Sequence, residues 1–191
     1  MKSLYLLLTR SESFLSGMIR LATDDPYTHV SVALDDDLYH FYSFGRKYAL
    51  LPYPAGMVAE CPDSGFFGRH GDMPCALLEL QVTDEAYAQA RRITGQMWAE
   101  AGRYRYSILG LILCRLGVPR ERLNHYFCSQ FVGRLLRESG AITLPKPPSL
   151  MRPVDYDGMP ETVCLYRGPL RDLPRPLPRP APCFRSAVCH M

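Results

Sequence analysis

The chain has 191 residues, which is long enough for one domain to bury a sizeable core. Its hydrophobic content of 47% and charged content of 21% are ordinary for a soluble globular protein. The net charge is only +3, and no run of Lys and Arg is interleaved with aromatics. The composition therefore does not predict a nucleic-acid partner.

The seven cysteines show no CxxC pair and no regular spacing. A disulfide framework or a structural zinc site usually has paired or closely spaced cysteines. We therefore predict reduced thiols in a cytoplasmic protein, with no metal and no cofactor.

The N-terminus, MKSLYLLLTR, contains an apolar stretch of only five residues before Arg10. This stretch is too short for a signal-peptide core and far too short to span a bilayer. It predicts a buried first strand, and no integral membrane segment is expected.

The first part of the chain alternates between strand and helix patterns. Residues 4–9 form a continuous apolar run typical of a central strand, and residues 11–23 place apolar side chains on one helical face. Residues 29–34 alternate and are β-branched, and after a polar DDD turn residues 38–44 continue as a second strand. These two strands predict a β-hairpin. After it, residues 45–74 are rich in Gly and Pro and predict an irregular connection.

The second part of the chain predicts further strands and helices of one α+β domain. In chain order these are a strand over 75–82, a helix over 83–102, a buried helix over 107–117, a helix over 126–139 and a strand over 162–168. Residues 1–170 are expected to form this domain, with an antiparallel sheet packed against helices. Residues 171–191 are proline-rich and basic, which predicts an extended or disordered tail.

Cys128 lies in the first turn of its predicted helix, within HYFCSQF at residues 125–131. Unpaired backbone N–H groups and the positive end of the helix dipole stabilise a thiolate there, and the same N–H groups can face an oxyanion. Such a cysteine needs only a histidine beside it to act as a nucleophile. The alternative is a small buried hydrophobe, which is the common role of a lone cysteine in an apolar helix.

His29 is the strongest candidate for that histidine, because it opens a strand from which its ring could reach a helix N-terminus. His125 could at most flank the site, and His70 lies in a loop. A catalytic imidazole also needs an orienting group. If the hairpin turn has four residues, Ser31 pairs with His40, which then faces the same side as His29. Alternatively, His29 has only a structural role, and His40 is a polar residue on a half-exposed strand.

The segment YTHVSVALDDDLYHFYSFGRK at residues 27–47, followed by HYFCSQFVGRLL at residues 125–136, resembles the circularly permuted papain-fold cysteine hydrolases. These NlpC-like proteins are relatives of the lecithin retinol acyltransferase group. In the permuted group a strand-borne histidine precedes the helix-borne cysteine, as it does here. The resemblance covers residues 3–168 and includes SFGRK, FCSQFV and PPSLMRPVDY, which look like a bacterial branch of the family.

The resemblance implies a permuted papain-like fold with Cys128 as nucleophile and His29 as base. The third residue of such proteins is often Glu or His on the strand after the base, which favours His40, with Tyr42 or Ser43 if the register shifts. Tyr42, Ser43 and Tyr126 are the candidate substrate-binding residues. The acyltransferase relatives have an Asn-Cys-Glu-His-type motif, whereas residues 127–130 here are Phe-Cys-Ser-Gln, so their lipid chemistry does not carry over directly.

We therefore predict a thiol-dependent hydrolase of a small amide or acyl substrate. The alternatives are a lipid acyltransferase or thioesterase, and a non-catalytic interaction module whose proline-rich tail binds a partner. A zinc site at His29, His40 and Cys128 is a weaker alternative, because nothing in their spacing requires a metal. The oligomeric state is left open.

Overall fold

A computed structural model of the chain describes residues 1–10, 25–46 and 55–174. The helix predicted over residues 11–23 and most of the predicted tail lie outside these residues. The boundary between a catalytic domain and a tail stays a prediction.

The described residues form a mixed α+β structure built on a six-stranded antiparallel sheet in the order β4-β3-β2-β1-β5-β8. Its strands are β1 (Lys2–Thr9), β2 (His29–Ala33), β3 (Phe41–Arg46), β4 (Ala55–Glu60), β5 (Pro74–Val82) and β8 (Thr162–Pro169). Two short strands, β6 (Arg105–Tyr106) and β7 (His125–Tyr126), form a separate parallel pair. The strands predicted over 4–9, 75–82 and 162–168 are confirmed.

Strand β1 is central because both of its faces are covered. Leu4, Leu6 and Leu8 belong to the larger hydrophobic cluster, and Leu7 belongs to the smaller cluster on the opposite face. Side chains alternate between the two faces of a strand, so a continuous apolar run fits a strand buried on both sides. The sheet therefore separates two hydrophobic layers.

Five helices occur in the described ranges, and two of them carry most of the packing against the sheet. They are α1 (Gly65–Arg69), α2 (Asp84–Ala99), α3 (Ile108–Arg115), α4 (Cys128–Glu138) and α5 (Pro153–Asp157). Helix α2 begins after Thr83, whose Oγ1 accepts a hydrogen bond from the Ala86 N–H at 3.1 Å. Helices α2 and α4 bury their apolar faces in the larger cluster, and α1 covers part of the smaller one.

The hairpin is present, but its predicted register is wrong. Strand β3 begins at Phe41 rather than at residue 38, and Tyr42 pairs with Val32 rather than with His29. Leu38 has φ of 52°, in the left-handed region, so the chain is still turning there. The connection is therefore longer than the four residues expected, and His40 lies outside the strand.

Two further expectations are corrected. Residues 45–74 contain a strand, β4, and the short helix α1, where an irregular connection was predicted. The helix predicted to be buried over 107–117 forms as α3, but only one side of it is covered. Apart from Arg115 at its end, α3 carries no polar side chain, and periodicity cannot tell which side of such a helix a neighbour will cover.

Candidate active site

Cys128 is the first residue of α4. The predicted helix start at residue 126 is two residues too early, because His125 and Tyr126 form β7 beside β6. Phe127 is the extended residue preceding the helix, with φ of −108° and ψ of 168°. The sulfur of Cys128 thus lies at the end of the helix where backbone N–H groups are unpaired.

Buried hydrogen bonds fix the first turn of α4. The Ser129 hydroxyl donates to the carbonyl of Met151 at 2.7 Å, and the Tyr156 hydroxyl donates to the carbonyl of Ser129 at 2.6 Å. A Cβ at Gly133 would come within 2.9 Å of the Tyr156 hydroxyl, so glycine lets α5 approach closely. Contacts from α5 and from the Met151 carbonyl therefore fix the backbone that carries Cys128.

His29 and Glu60 form the second part of the site. The His29 Nε2 atom lies 2.9 Å from Glu60 Oε2, and both side chains are largely covered, with exposed fractions of 15% and 20%. Glu60 is the last residue of β4 and His29 the first of β2, two strands that β3 separates in the sheet. The carboxylate therefore occupies one ring nitrogen and leaves Nδ1 for another partner.

Cys128 lies beside the His29 ring, close enough that each of the two side chains shifts the pKa of the other. His29 also contacts Phe67 edge-on, at 6.4 Å between ring centroids. Cys128 belongs to the larger hydrophobic cluster and Phe67 to the smaller one, so His29 joins the two layers. The structure thus brings together the two residues that the sequence placed 99 positions apart.

The environment of His29 favours the imidazolium. Burial lowers the pKa of the ring, but the charge of Glu60 and the hydrogen bonds to Cys128 and Glu60 outweigh burial. The pKa of His29 therefore lies well above its ordinary value. The imidazolium form of His29 is favoured in this setting.

The environment of Cys128 favours the thiolate. Burial raises the pKa of the thiol, but the hydrogen bond and charge of His29 outweigh it, together with the backbone N–H groups of Val30 and Ser129. The pKa of Cys128 therefore lies below its ordinary value. Both shifts favour an ion pair of thiolate and imidazolium, which is the reactive form of a cysteine nucleophile.

The pair of His29 and Glu60 has close neighbours on the sheet and on α1. A Cβ at Gly45 would lie 3.7 Å from Glu60 Oε1 and 3.8 Å from His29 Cε1, so Gly45 lies directly against the pair. The guanidinium of Arg46 stacks over the Phe66 ring at 4.4 Å. Tyr48 and Tyr53, the other aromatics of this region, lie outside the described residues.

The sulfur itself lies below the surface, since Cys128 is only 3% exposed. Cys128, His29 and Glu60 form a trio, of which His29 and Glu60 reach solvent. A substrate carbonyl must therefore approach from the side of these two residues. Two surface depressions lie elsewhere. One of about 710 Å³ is at the C-terminal end of α4, and one of about 270 Å³ is beside Cys114.

The structure does not place His40 in the site. His40 is exposed, and its ring contacts Tyr39 edge-on at 4.8 Å between centroids. Glu60 makes the hydrogen bond that was predicted for His40. The prediction of His40 is corrected because it depended on a hairpin register that the turn at Leu38 prevents.

The three candidate substrate-binding residues are occupied in packing. Tyr42 contacts Trp98 edge-on at 5.7 Å, and the hydroxyl of buried Ser43 donates to the carbonyl of Val30 at 2.7 Å. Tyr126 is 4% exposed and packs against Phe44 at 5.3 Å between ring centroids. None of the three replaces Glu60 beside His29.

Two residues of the site were missed in the sequence. Glu60 is the only carboxylate between Asp37 and Asp63, and recognising AGMVAE as a strand would have drawn attention to it.

Tyr106 lies within electrostatic range of Cys128. Burial and the negative charge of Cys128 raise the pKa of its phenol well above the ordinary value, so the phenol stays neutral beside the sulfur. No sequence signal distinguishes Tyr106.

The described residues define an α+β protein with a largely covered Cys-His-Glu cluster at the start of a helix. Within those ranges, no group of three or more His, Cys, Asp or Glu side chains could hold a metal ion. The chain matches no protein-family model and no curated protein. The resemblance to the permuted papain-fold hydrolases stays a prediction.

Proposed function

We propose that the chain is a cysteine hydrolase that cleaves an amide or ester bond through an acyl-enzyme, on a permuted papain-like fold. The single observation that carries this proposal is the grouping of Glu60, His29 and Cys128, in which Glu60 bonds the His29 ring at 2.9 Å and His29 lowers the pKa of Cys128. Nucleophile, base and orienting group in direct contact are typical of nucleophilic catalysis. A histidine on an early strand and a cysteine at a later helix start are consistent with the permuted order.

In the first half of the reaction, the Cys128 thiolate attacks the carbonyl carbon of the substrate and forms a C–S bond. The oxyanion that develops faces the backbone N–H of Cys128 at the start of α4. The His29 imidazolium then donates its proton to the leaving amine or alcohol as the bond to that group breaks. The product of this half is a thioester on Cys128.

In the second half, neutral His29 takes a proton from water, and the resulting hydroxide attacks the thioester. The C–S bond breaks, the carboxylic acid leaves, and the thiolate–imidazolium pair is restored. Glu60 holds the ring in place throughout and stabilises its charged form. Glu60 acts through His29 and is therefore a positioning residue.

Selective alkylation tests the proposal without knowledge of the substrate. We expect iodoacetamide to label Cys128 faster than exposed Cys164, because His29 lowers the pKa of the Cys128 thiol and so favours the reactive thiolate. Exposure alone would favour Cys164, so faster labelling of a buried thiol requires chemical activation. The rate at each cysteine is measured by mass spectrometry of peptides across a pH series.

Cys75 provides an internal control in the same experiment. Burial raises the pKa of this thiol to about 12, so Cys75 should stay unlabelled at neutral pH. Labelling of Cys128 should decrease only when the pH falls through its lowered pKa. Slower labelling of Cys128 than of Cys164 at every pH would contradict the proposal.

Glu60→Gln should reduce kcat/KM roughly 10- to 100-fold, since a hydrogen bond to a charged group contributes about 1.5–3 kcal/mol. The change removes the charge that raises the pKa of His29, so the decline of the rate at alkaline pH should move to lower pH. His40→Gln is the matched control and should leave rate and pH profile unchanged. Equal effects of the two substitutions would show that Glu60 has no special role.

A further inference from the structure

We infer that the exposed side of α3 is a docking surface for an anionic membrane. This side carries six large apolar residues, four on or directly after the helix and two in the loop that follows. They are Ile108, Leu109, Ile112, Leu116, Val118 and Leu123, with exposed fractions between 47% and 82%.

The geometry of α3 explains why this side is uncovered. The opposite side carries Gly110, Leu111 and Cys114, which are buried, and the latter two pack on Phe127. Residues three and four apart lie on one face of a helix, so Ile108, Ile112 and Leu116 form a continuous apolar stripe away from the protein. A helix that is apolar on all sides is normally buried on all sides. In the described residues, only one side of α3 is covered and the other is exposed.

The loop after α3 is held close to the helix. The Gly117 N–H donates to the Cys114 carbonyl at 3.1 Å, and the Val118 N–H donates to the Leu113 carbonyl at 2.9 Å. Gly117 has φ of 71°, a left-handed conformation that allows this reversal at low cost. Val118 therefore extends the apolar stripe around the end of α3.

Exposed cations flank the apolar stripe on both sides in the chain. Arg103 and Arg105 precede α3, and Arg120 and Arg122 follow it, with all four exposed. The segment from residue 100 to residue 124 contains five arginines and two glutamates, and it contains no lysine or aspartate. Of the five arginines only Arg115 is turned inward, where it pairs with Asp25 at 2.6 Å. Arg103 pairs with Glu100 at 2.6 Å, and Arg105, Arg120 and Arg122 against Glu121 leave the exposed part of this segment positively charged.

This charge selects the membrane over a second copy of the chain. Two copies that met through α3 across a two-fold axis would bring the flanking arginines of both copies together, and like charges would repel. Anionic headgroups would instead meet the arginines while the apolar stripe entered the headgroup–acyl boundary. Docking of this kind needs no spanning segment. No helix within the described ranges is long and apolar enough to cross a bilayer, and α3 with eight residues is about 12 Å long.

Vesicle sedimentation of the full chain tests the inference. We expect binding to phosphatidylcholine vesicles that contain about 30% phosphatidylserine, and weaker binding at higher salt. The double substitution Ile112→Glu and Leu116→Glu should reduce the partition coefficient at least about tenfold, because it places charge in the apolar stripe. Arg120→Gln with Arg122→Gln should reduce it roughly fivefold per arginine at low salt.

The matched control is Val163→Glu with Leu165→Glu, an equally exposed apolar pair on β8. This variant should bind vesicles like wild type, and far-UV circular dichroism verifies that each variant is folded. Wild-type binding by the α3 variant would place the membrane contact elsewhere, for example on the basic residues near the C-terminus, and would overturn the inference. Absence of binding, or a wild-type dimer that the α3 substitutions dissociate, would overturn it as well. The test does not depend on catalysis, since Cys128→Ser should bind vesicles like wild type.

Discussion

Cys128→Ser is expected to lower turnover of an activated ester such as a p-nitrophenyl ester by roughly 10³-fold or more. A serine hydroxyl in this position has no lowered pKa, and the His29 environment that makes a thiolate cannot ionise an alcohol to the same degree. The wild-type chain should also show a burst of p-nitrophenolate equal to the enzyme concentration. That burst reports formation of the thioester and should be absent in the variant.

The control for this loss is Cys164→Ser, which removes an exposed thiol that takes no part in the trio. It should leave both the burst and the steady-state rate unchanged. Mass spectrometry of proteolytic peptides should find the acyl group on Cys128 in wild type and on no cysteine in Cys128→Ser. If Cys128→Ser turns over the ester at the wild-type rate, the proposed chemistry is wrong.

His29→Gln is expected to lower kcat/KM by a similar factor, on the order of 10³, because it removes both the base and the acid of the reaction. Without His29, the largest influence that lowers the pKa of Cys128 is lost and burial raises that pKa, so a smaller fraction of the thiol is ionised at a given pH. The residual rate should therefore increase with pH over the whole accessible range.

The wild-type profile should instead be bell-shaped. The rate rises as the pH passes upward through the lowered pKa of Cys128, because the thiolate forms. It falls as the pH passes through the raised pKa of His29, because a neutral ring cannot protonate the leaving group. Loss of the alkaline decline in His29→Gln is a result that a merely structural role would not produce.

A double variant separates folding from chemistry in this experiment. His29→Gln leaves Glu60 beside an uncharged partner, and Glu60→Gln removes that unpaired charge. The double variant His29→Gln with Glu60→Gln should therefore be as stable as wild type in urea denaturation and still inactive. Recovery of activity together with stability would show that His29 acts only through the fold.

Local sequence patterns were sufficient for most of the sheet and for the helix that carries Cys128. Runs of apolar or β-branched residues predict β1, β2, β5 and β8, because strand patterns depend on neighbours along the chain. Gly140, with φ of 73°, follows the end of α4 in the left-handed conformation that is typical of a glycine ending a helix. The position of Cys128 in the first turn also follows from local sequence.

The orienting residue could not be found in the same way. His40 was chosen from a hairpin register that one left-handed residue, Leu38, is enough to change. Glu60 is 31 residues from His29, in strand β4, which lies within a stretch that Gly and Pro made look irregular. Their contact depends on β3 pairing with β4, which is a property of the sheet and not of either segment.

The sequence by itself determined a cysteine at a helix start, a histidine at a strand start and the elements of an α+β chain, because these depend on residues close together along the backbone. Only the tertiary structure decided that Glu60 and not His40 holds the imidazole, and that one side of α3 stays exposed. Both outcomes depend on which distant elements pack together, and local propensity contains no information about that choice.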